Sequence, residues 1–459
     1  MKRLFLGLLI WFCLWLPANP QSPFGAKRPE GEWLADGYGL LVEFDAAGLR
    51  SYELTSISCV LSRIARLEEN HSSDLISTFV SGHSTITVSR TNDPDILQLH
   101  TDGAASDIVL HRVSMRPNVC GRTPTNSPQE NYDILWQTFA EQYPFFTLHK
   151  VNWHSIDQNF RPRITATMSP AELFQVFREM IEPLQDTHTG LEADDIHAEY
   201  DGWRNDPNHL EESDWKKGAS IIESKYVRGA LQSYCKNHIQ FGMLNHSIGY
   251  LRVTTFYDYA DEGGYVNEVQ CLQQSLDSIF KSAGKLDGLV IDVRLNHGGD
   301  DPLGIEIASR LTEKKYLAYT KAARNNSDMD APIHLTPLQA TWVAPSERPG
   351  FKGKIALLIG PDTVSAGETF TMALMGREPH VIRIGLNTQG VFSDVLNRSL
   401  PNGWRFHLPN EIYFTAEGKA FDAIGVPPDV RVPYFDQKDL QSGRDLPLEK
   451  AIDWLTKPN

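Results

Sequence analysis

Between residue 30 and about residue 120 the apolar positions fall in short β-rich runs. Thr85-Ile86-Thr87-Val88-Ser89-Arg90 alternates strictly, Trp33 to Phe44 carries Gly37-Tyr38-Gly39 and then Leu40-Leu41-Val42, and Asp107 to Met115 is another short β-rich run. Asp-Gly and Asn-Asp-Pro turn signals separate these runs, so the region reads as several short strands in a small barrel or sandwich, residues 23–122. Cys120 to Ser127, with Gly121, Pro124 and Asn126, reads as a linker.

The spacing then changes to three and four. Ser127-Pro128-Gln129-Glu130 is a capping box with proline at the first helical position and predicts a helix to about Tyr143. Ser169-Pro170-Ala171-Glu172 repeats the device, and Leu173, Val176, Phe177, Met180, Ile181 and Leu184 follow at helical spacing. That helix is expected to end near Gln185, leaving Asp186-Thr187-His188-Thr189-Gly190 as its exit loop. Residues 126–245 are therefore expected to form a helical subdomain, although 191–240 carry no clear period.

From 246 to 436 strands and helices alternate. Ile248 to Phe256, Leu286 to Val293 and Lys354 to Gly360 read as buried strands. Val266, Val269, Leu272, Leu276 and Ile279 mark one face of a helix, a second helix ends near Leu311, and a third begins at Ser365. This order predicts an α/β core with a mainly parallel sheet. Arg405-Phe406-His407-Leu408 and Glu411 to Thr415 are expected to close it as a hairpin, and 437–459 to form a C-terminal helix or tail.

The first 22 residues follow another pattern. Lys2 and Arg3 precede the apolar run Leu4–Leu16, which Pro17-Ala18-Asn19-Pro20 breaks. The run is too short for a comfortable transmembrane span, and residues 1–22 read as a signal peptide for a secreted or periplasmic protein. Of five cysteines only Cys13 falls inside it. Cys59 and Cys120 share the β-rich region and are expected to pair. Cys235 and Cys271 are left open between a second disulfide and buried thiols. The net charge of −15 over 459 residues, spread along the chain, argues against nucleic acid or an anionic membrane surface as the main partner.

The candidate chemistry begins at Thr363-Val364-Ser365-Ala366-Gly367-Glu368. A serine between a buried strand and a helix exposes its hydroxyl at the sheet's edge, where free N–H groups and the helix dipole face a developing anion. The same placement also suits an ordinary N-cap. Upstream, Asn296-His297-Gly298-Gly299 follows a strand and can aim backbone N–H groups into a pocket, or can simply be a tight turn.

Taken in order, these segments resemble the S41 peptidases, which include the C-terminal processing proteases, the tricorn core and the interphotoreceptor retinoid-binding proteins. Asn296-His297-Gly298-Gly299 resembles that family's Asn-x-Gly-Gly loop, and Thr363 to Glu368 its nucleophile turn. Gly385-Leu386-Asn387-Thr388-Gln389-Gly390 resembles its Gly-x-x-Thr-x-Gly turn, and Gly425-Val426-Pro427-Pro428-Asp429 its Gly-(Val/Ile)-x-Pro-Asp signature. The resemblance implies a hydrolase acting on peptide or protein substrates, with no metal or organic cofactor. In the processing proteases a lysine after the last glycine of the third segment is the base; here Val391 stands there. The resemblance to the tricorn-like branch instead implies Ser365 as nucleophile, His188 as base, and Thr187 with Asp422 as the relay behind it. Gly298 or Gly299 with Ala366 would supply the oxyanion hole. Aspartate at 422 is one methylene shorter than the glutamate usual there, and Asp186 is a rival orienter. About 55 residues separate Gly190 from Asn245, too few for a PDZ domain. Asp186, His188, Glu192, Asp194, Asp195 and His197 match no compact zinc spacing. A ligand-binding protein on the same fold and an esterase are the two rival readings.

Overall fold

The computed structural model describes residues 29–69, 73, 75–282 and 286–457; the signal-peptide expectation lies outside them. Eight antiparallel strands, from Gly31–Ala35 to Ile108–Val113, close into a barrel, because the first strand pairs with both the second (Gly31 opposite Phe44) and the last (Ala35 opposite Leu110). The alternating positions do the closing: Trp33, Val42, Phe44, Phe79, Ile86, Val88 and Leu110 fill the interior. A disulfide joins Cys59, at a strand start, to Cys120 in the turn after the barrel, with Cα atoms 5.0 Å apart.

The helices follow their caps. Ser127 accepts the Glu130 N–H ahead of Pro128–Gln142, and a full capping box opens Pro170–Ile181. Beyond Gly190 the segment expected to be helical changes character. Gly190–Ala193 and Ala198–Asp201 are strands of a four-stranded sheet that also takes Val395–Ser399 and Arg405–Pro409. Arg228–Tyr234 and Ile239–Met243 run into the largest sheet. The weak periodicity of this stretch reflects short strands laid on pre-existing sheets.

The largest sheet has seven strands. After Arg228–Tyr234 and Ile239–Met243 come Ile248–Val253, Gly288–Asp292, Lys354–Ile359, Val381–Gly385 and Val430–Arg431, parallel from Ile248–Val253 onward. Its central strands are buried on both faces, as their unbroken apolar runs require. Leu289, Ile291 and Leu357 pack against the helices Tyr265–Ser282, Asp301–Ser309 and Ala366–Met375. Val290 and Leu358 pack on the other side against Leu448, Ala451 and Leu455 of the C-terminal helix Leu446–Thr456. Cys271, within the first of those helices, bonds Cys235 across 6.0 Å between Cα atoms, which closes the question left open.

The expected closing hairpin does not form. Arg405–Pro409 pairs with Gly190–Ala193 and Val395–Ser399, whereas Glu411–Thr415 pairs with Tyr316–Ala323 in a separate three-stranded sheet. Asn410 marks the crossing: its N–H donates to Ser393 Oγ and its amide to the Gly37 carbonyl of the barrel. The barrel is held to the rest by such contacts. Tyr38 donates to Glu411 Oε1 at 2.5 Å, and the buried Arg398 guanidinium reaches both Gln142 Oε1 and the Tyr38 carbonyl.

Candidate active site

The turn at Ser365 is strained. The strand Lys354–Ile359 ends, Thr363 caps the turn by donating its hydroxyl to the Val293 carbonyl, and Ser365 adopts φ 54° and ψ −120° at the start of Ala366–Met375. Positive φ is rare for a side chain other than glycine, asparagine or aspartate and marks a position held by its surroundings. Three contacts hold it. Ser365 N–H donates to the Val391 carbonyl at 3.1 Å and also faces Glu368 Oε2 at 3.3 Å, while Val364 N–H donates to the Asn296 carbonyl.

The Asn296–Gly299 loop lies directly against this serine. A Cβ on Gly298, where φ is +85°, would stand 2.7 Å from Ser365 Cβ and 3.2 Å from Oγ, so only glycine fits. Asn296 Oδ1 accepts the Gly298 N–H at 3.0 Å. That donor is therefore committed, and of the two glycines considered for an oxyanion hole it is Gly299 whose N–H remains. Among the described residues neither the Gly299 nor the Ala366 N–H is taken up by another group.

Glu368 anchors the wall behind the serine. Its buried carboxylate accepts from Thr388 Oγ1 at 2.5 Å, Gly390 N at 2.6 Å and Val391 N at 2.7 Å. Burial pushes its pKa up to about 7 despite those donors. The segment Gly390–Ser393 is thereby fixed, and it is the strip of backbone that the two expected halves of the site share. Ser365 binds it at Val391; the buried His188 ring faces the backbone of Ser393. Burial holds the His188 pKa below its ordinary value, with Asp186 and Asp394 raising it and His407 lowering it, so the imidazole is neutral near pH 7. A neutral imidazole can accept a proton.

The residues expected behind His188 are arranged differently from the relay. The Thr187 hydroxyl donates to Gln389 Oε1 at 2.6 Å, and Gln389 N–H donates to the Thr363 carbonyl. Asp422 is buried near Glu368 and Asp186, its Oδ2 has no hydrogen-bond partner, and its pKa is raised well above the carboxylate range by burial first and those neighbours second. His188 Nδ1 is likewise buried without a partner. Asp186 receives more: Oδ1 accepts the His188 N–H at 2.9 Å and Oδ2 the Tyr143 hydroxyl at 2.8 Å.

Several residues around the site carry no sequence signal. Arg204 clamps the carbonyls of Gln389 and Ala423 from a loop without periodicity. Lys321, fully buried in a strand, pairs with Asp394 at 2.5 Å and Glu411 at 3.1 Å. Only partners distant in the chain justify such charges, so spacing could not find them.

Comparison with known proteins fits this geometry. Residues 247–432 match the model of peptidase family S41, and residues 124–182 match that of the tricorn protease C1 domain. The match to peptidase family S41 thus covers the α/β core. The chain is 27% identical over 185 residues to a carboxy-terminal-processing protease of Bartonella bacilliformis, a match covering 40% of the chain and 38% of that relative. It is 25% identical over 204 residues to the chloroplastic carboxyl-terminal-processing peptidase 2 of Arabidopsis thaliana, covering 44% of the chain and 35% of the relative. The chain thus spans well under half the length of the curated relatives it matches. Its fold is shared with a presumed peptidase from Parabacteroides merdae (TM-score 0.60, 23% identity, 73% of this chain and 98% of that one). It is also shared with mature CPAF complexed with lactacystin (TM-score 0.53, 11% identity, 72% and 97%).

Proposed function

We propose that this chain is an exported S41 serine peptidase that hydrolyses peptide bonds through Ser365, with His188 as general base. The reading rests chiefly on the strained Ser365 set against Gly298, with two uncommitted N–H groups, of Gly299 and Ala366, beside it. In this reading His188 takes the hydroxyl proton as Ser365 Oγ attacks the scissile carbonyl. The oxyanion is held by Gly299 and Ala366, and the proton passes to the leaving amine as the acyl-enzyme forms. Water then reverses the sequence. Each oxyanion donor is worth about 3 kcal/mol of transition-state stabilisation. Thr187, the residue before the base, is held by Gln389. Val391, at the position where the processing proteases carry lysine, supports a histidine base. The Cys59–Cys120 and Cys235–Cys271 bonds support an oxidising compartment and hence export.

The test is labelling with a fluorophosphonate probe together with turnover of peptide and ester panels. Wild-type protein is expected to label and to cleave peptides, with both activities lost in Ser365→Ala and reduced at least a hundredfold in His188→Ala. Labelling that is unchanged in both variants overturns the assignment, and ester turnover without peptide cleavage moves it to the esterases.

A further inference from the structure

We infer that Asp186, rather than Asp422, is the positioning residue for His188, and that Tyr143 holds Asp186 in that role. This inference rests on His188 being the base.

The geometry separates the two carboxyl groups. Asp186 is 3% exposed, and both of its oxygens act as acceptors: Oδ1 from the His188 N–H, Oδ2 from the Tyr143 hydroxyl. Its carbonyl accepts the Thr189 N–H at 3.0 Å and the Thr189 hydroxyl at 2.7 Å. A Cβ on Gly202 would lie 2.0 Å from that same carbonyl oxygen, so the loop is packed from the other side as well. His149 Nε2 stands 3.8 Å from Oδ2. Asp186 is thus held in place by a donor on each oxygen. Asp422 is as deeply buried, but its Oδ2 receives nothing and its neighbours are the carboxyls Glu368 and Asp186, so it holds its proton.

Asp186 therefore does two things for the base. It fixes the backbone at His188, and it favours the charged form of an imidazole that must become an imidazolium during the reaction. The other charged groups facing His188 are Asp394 and His407; those facing Asp186 are Tyr143, His149, His407 and Asp422, with Arg204 acting on His149. Asp394 is shared with Lys321, which leaves Asp186 as the carboxylate without a countercharge of that kind.

The readout is the protonation midpoint of His188, followed by NMR of histidine-labelled full-length protein and assigned with His188→Gln. Asp186→Asn is expected to lower the midpoint by about one pH unit. Tyr143→Phe, which leaves the anion less neutralised by its donor, is expected to raise it. Asp422→Asn replaces a neutral group by a neutral group and is expected to leave it in place. The acid limb of the fluorophosphonate labelling rate should move with the midpoint in each variant. A midpoint moved by Asp422→Asn and not by Asp186→Asn overturns the inference. If Asp186→Asn does not fold, the sign of the Tyr143→Phe shift decides. Because the midpoint is read without turnover, absence of labelling in the wild type overturns the peptidase reading alone.

Discussion

At the scale of single residues the site depends on small side chains in tight places. Gly298→Ala drives a methyl into Ser365 at 2.7 Å and at a positive φ. Probe labelling is expected to fall by at least a hundredfold with a modest drop in melting temperature, both measurable on the purified variant. Asp300, next to Gly299, shows how charge is stored at this loop. Burial and the carboxylates Glu268, Asp394 and Asp102 push its pKa up to about 7. The native state therefore holds a proton there that the unfolded chain has released. Stability is lost as pH rises from the unfolded value near 4 to about 7, by up to about 4 kcal/mol. Asp300→Asn should match wild type at pH 4 and exceed it in melting temperature by a margin that grows to pH 7 and then levels. Ser365, Gly298, Gly299 and Ala366 were legible because their spacing is local to one strand and one turn. Gln389 as the partner of Thr187 was not, since that bond joins residues 202 positions apart.

At the scale of elements, the C-terminal helix is fastened by a buried charge triad. Arg294, 1% exposed, binds Asp292 on its own strand's end and Asp445 at the helix N-cap, the latter through two bonds of 3.0 and 2.8 Å. Removing Asp445 leaves the buried guanidinium with Asp292 alone. Asp445→Ala is expected to cost about 3–5 kcal/mol in chemical denaturation, since it also removes the cap to Leu448. The helices with capping boxes and the buried parallel strands could be read directly, because each pattern is a property of one element. The expected hairpin at 405–415 failed for the converse reason. Alternation shows that a segment is a strand but not which strand it lies beside. Pro409 and Asn410 carry the chain from one sheet to another.

At the scale of the molecule, the barrel and the core are one body. The Tyr38–Glu411 and Arg398–Gln142 bonds are buried, and a Cβ on Gly103, at the tip of a barrel hairpin, would meet the Asp300 carboxyl at 2.9 Å. The barrel thus borders the loop that carries Gly299. The bond between Cys59 and Cys120 closes a segment of 61 residues. In the chain-entropy account a closure of that length is worth about 4 kcal/mol. Cys59→Ser with Cys120→Ser is expected to lower the melting temperature by several degrees and to match the effect of reductant on the Cys59–Cys120 pair, read by calorimetry. Composition and alternation identified a barrel or sandwich, and the choice between them needed the pairing of the first strand with the last.

The backbone strip Gly390–Ser393 has a consequence of its own. Glu368 pins it, Ser365 hangs from Val391, and His188 leans on Ser393. The proposed nucleophile and base thus lean on one strip of backbone between two parts of the chain. A displacement of that strip would disturb both together. A small molecule wedged behind Val391 would therefore reach Ser365 and His188 at once, through the backbone they share.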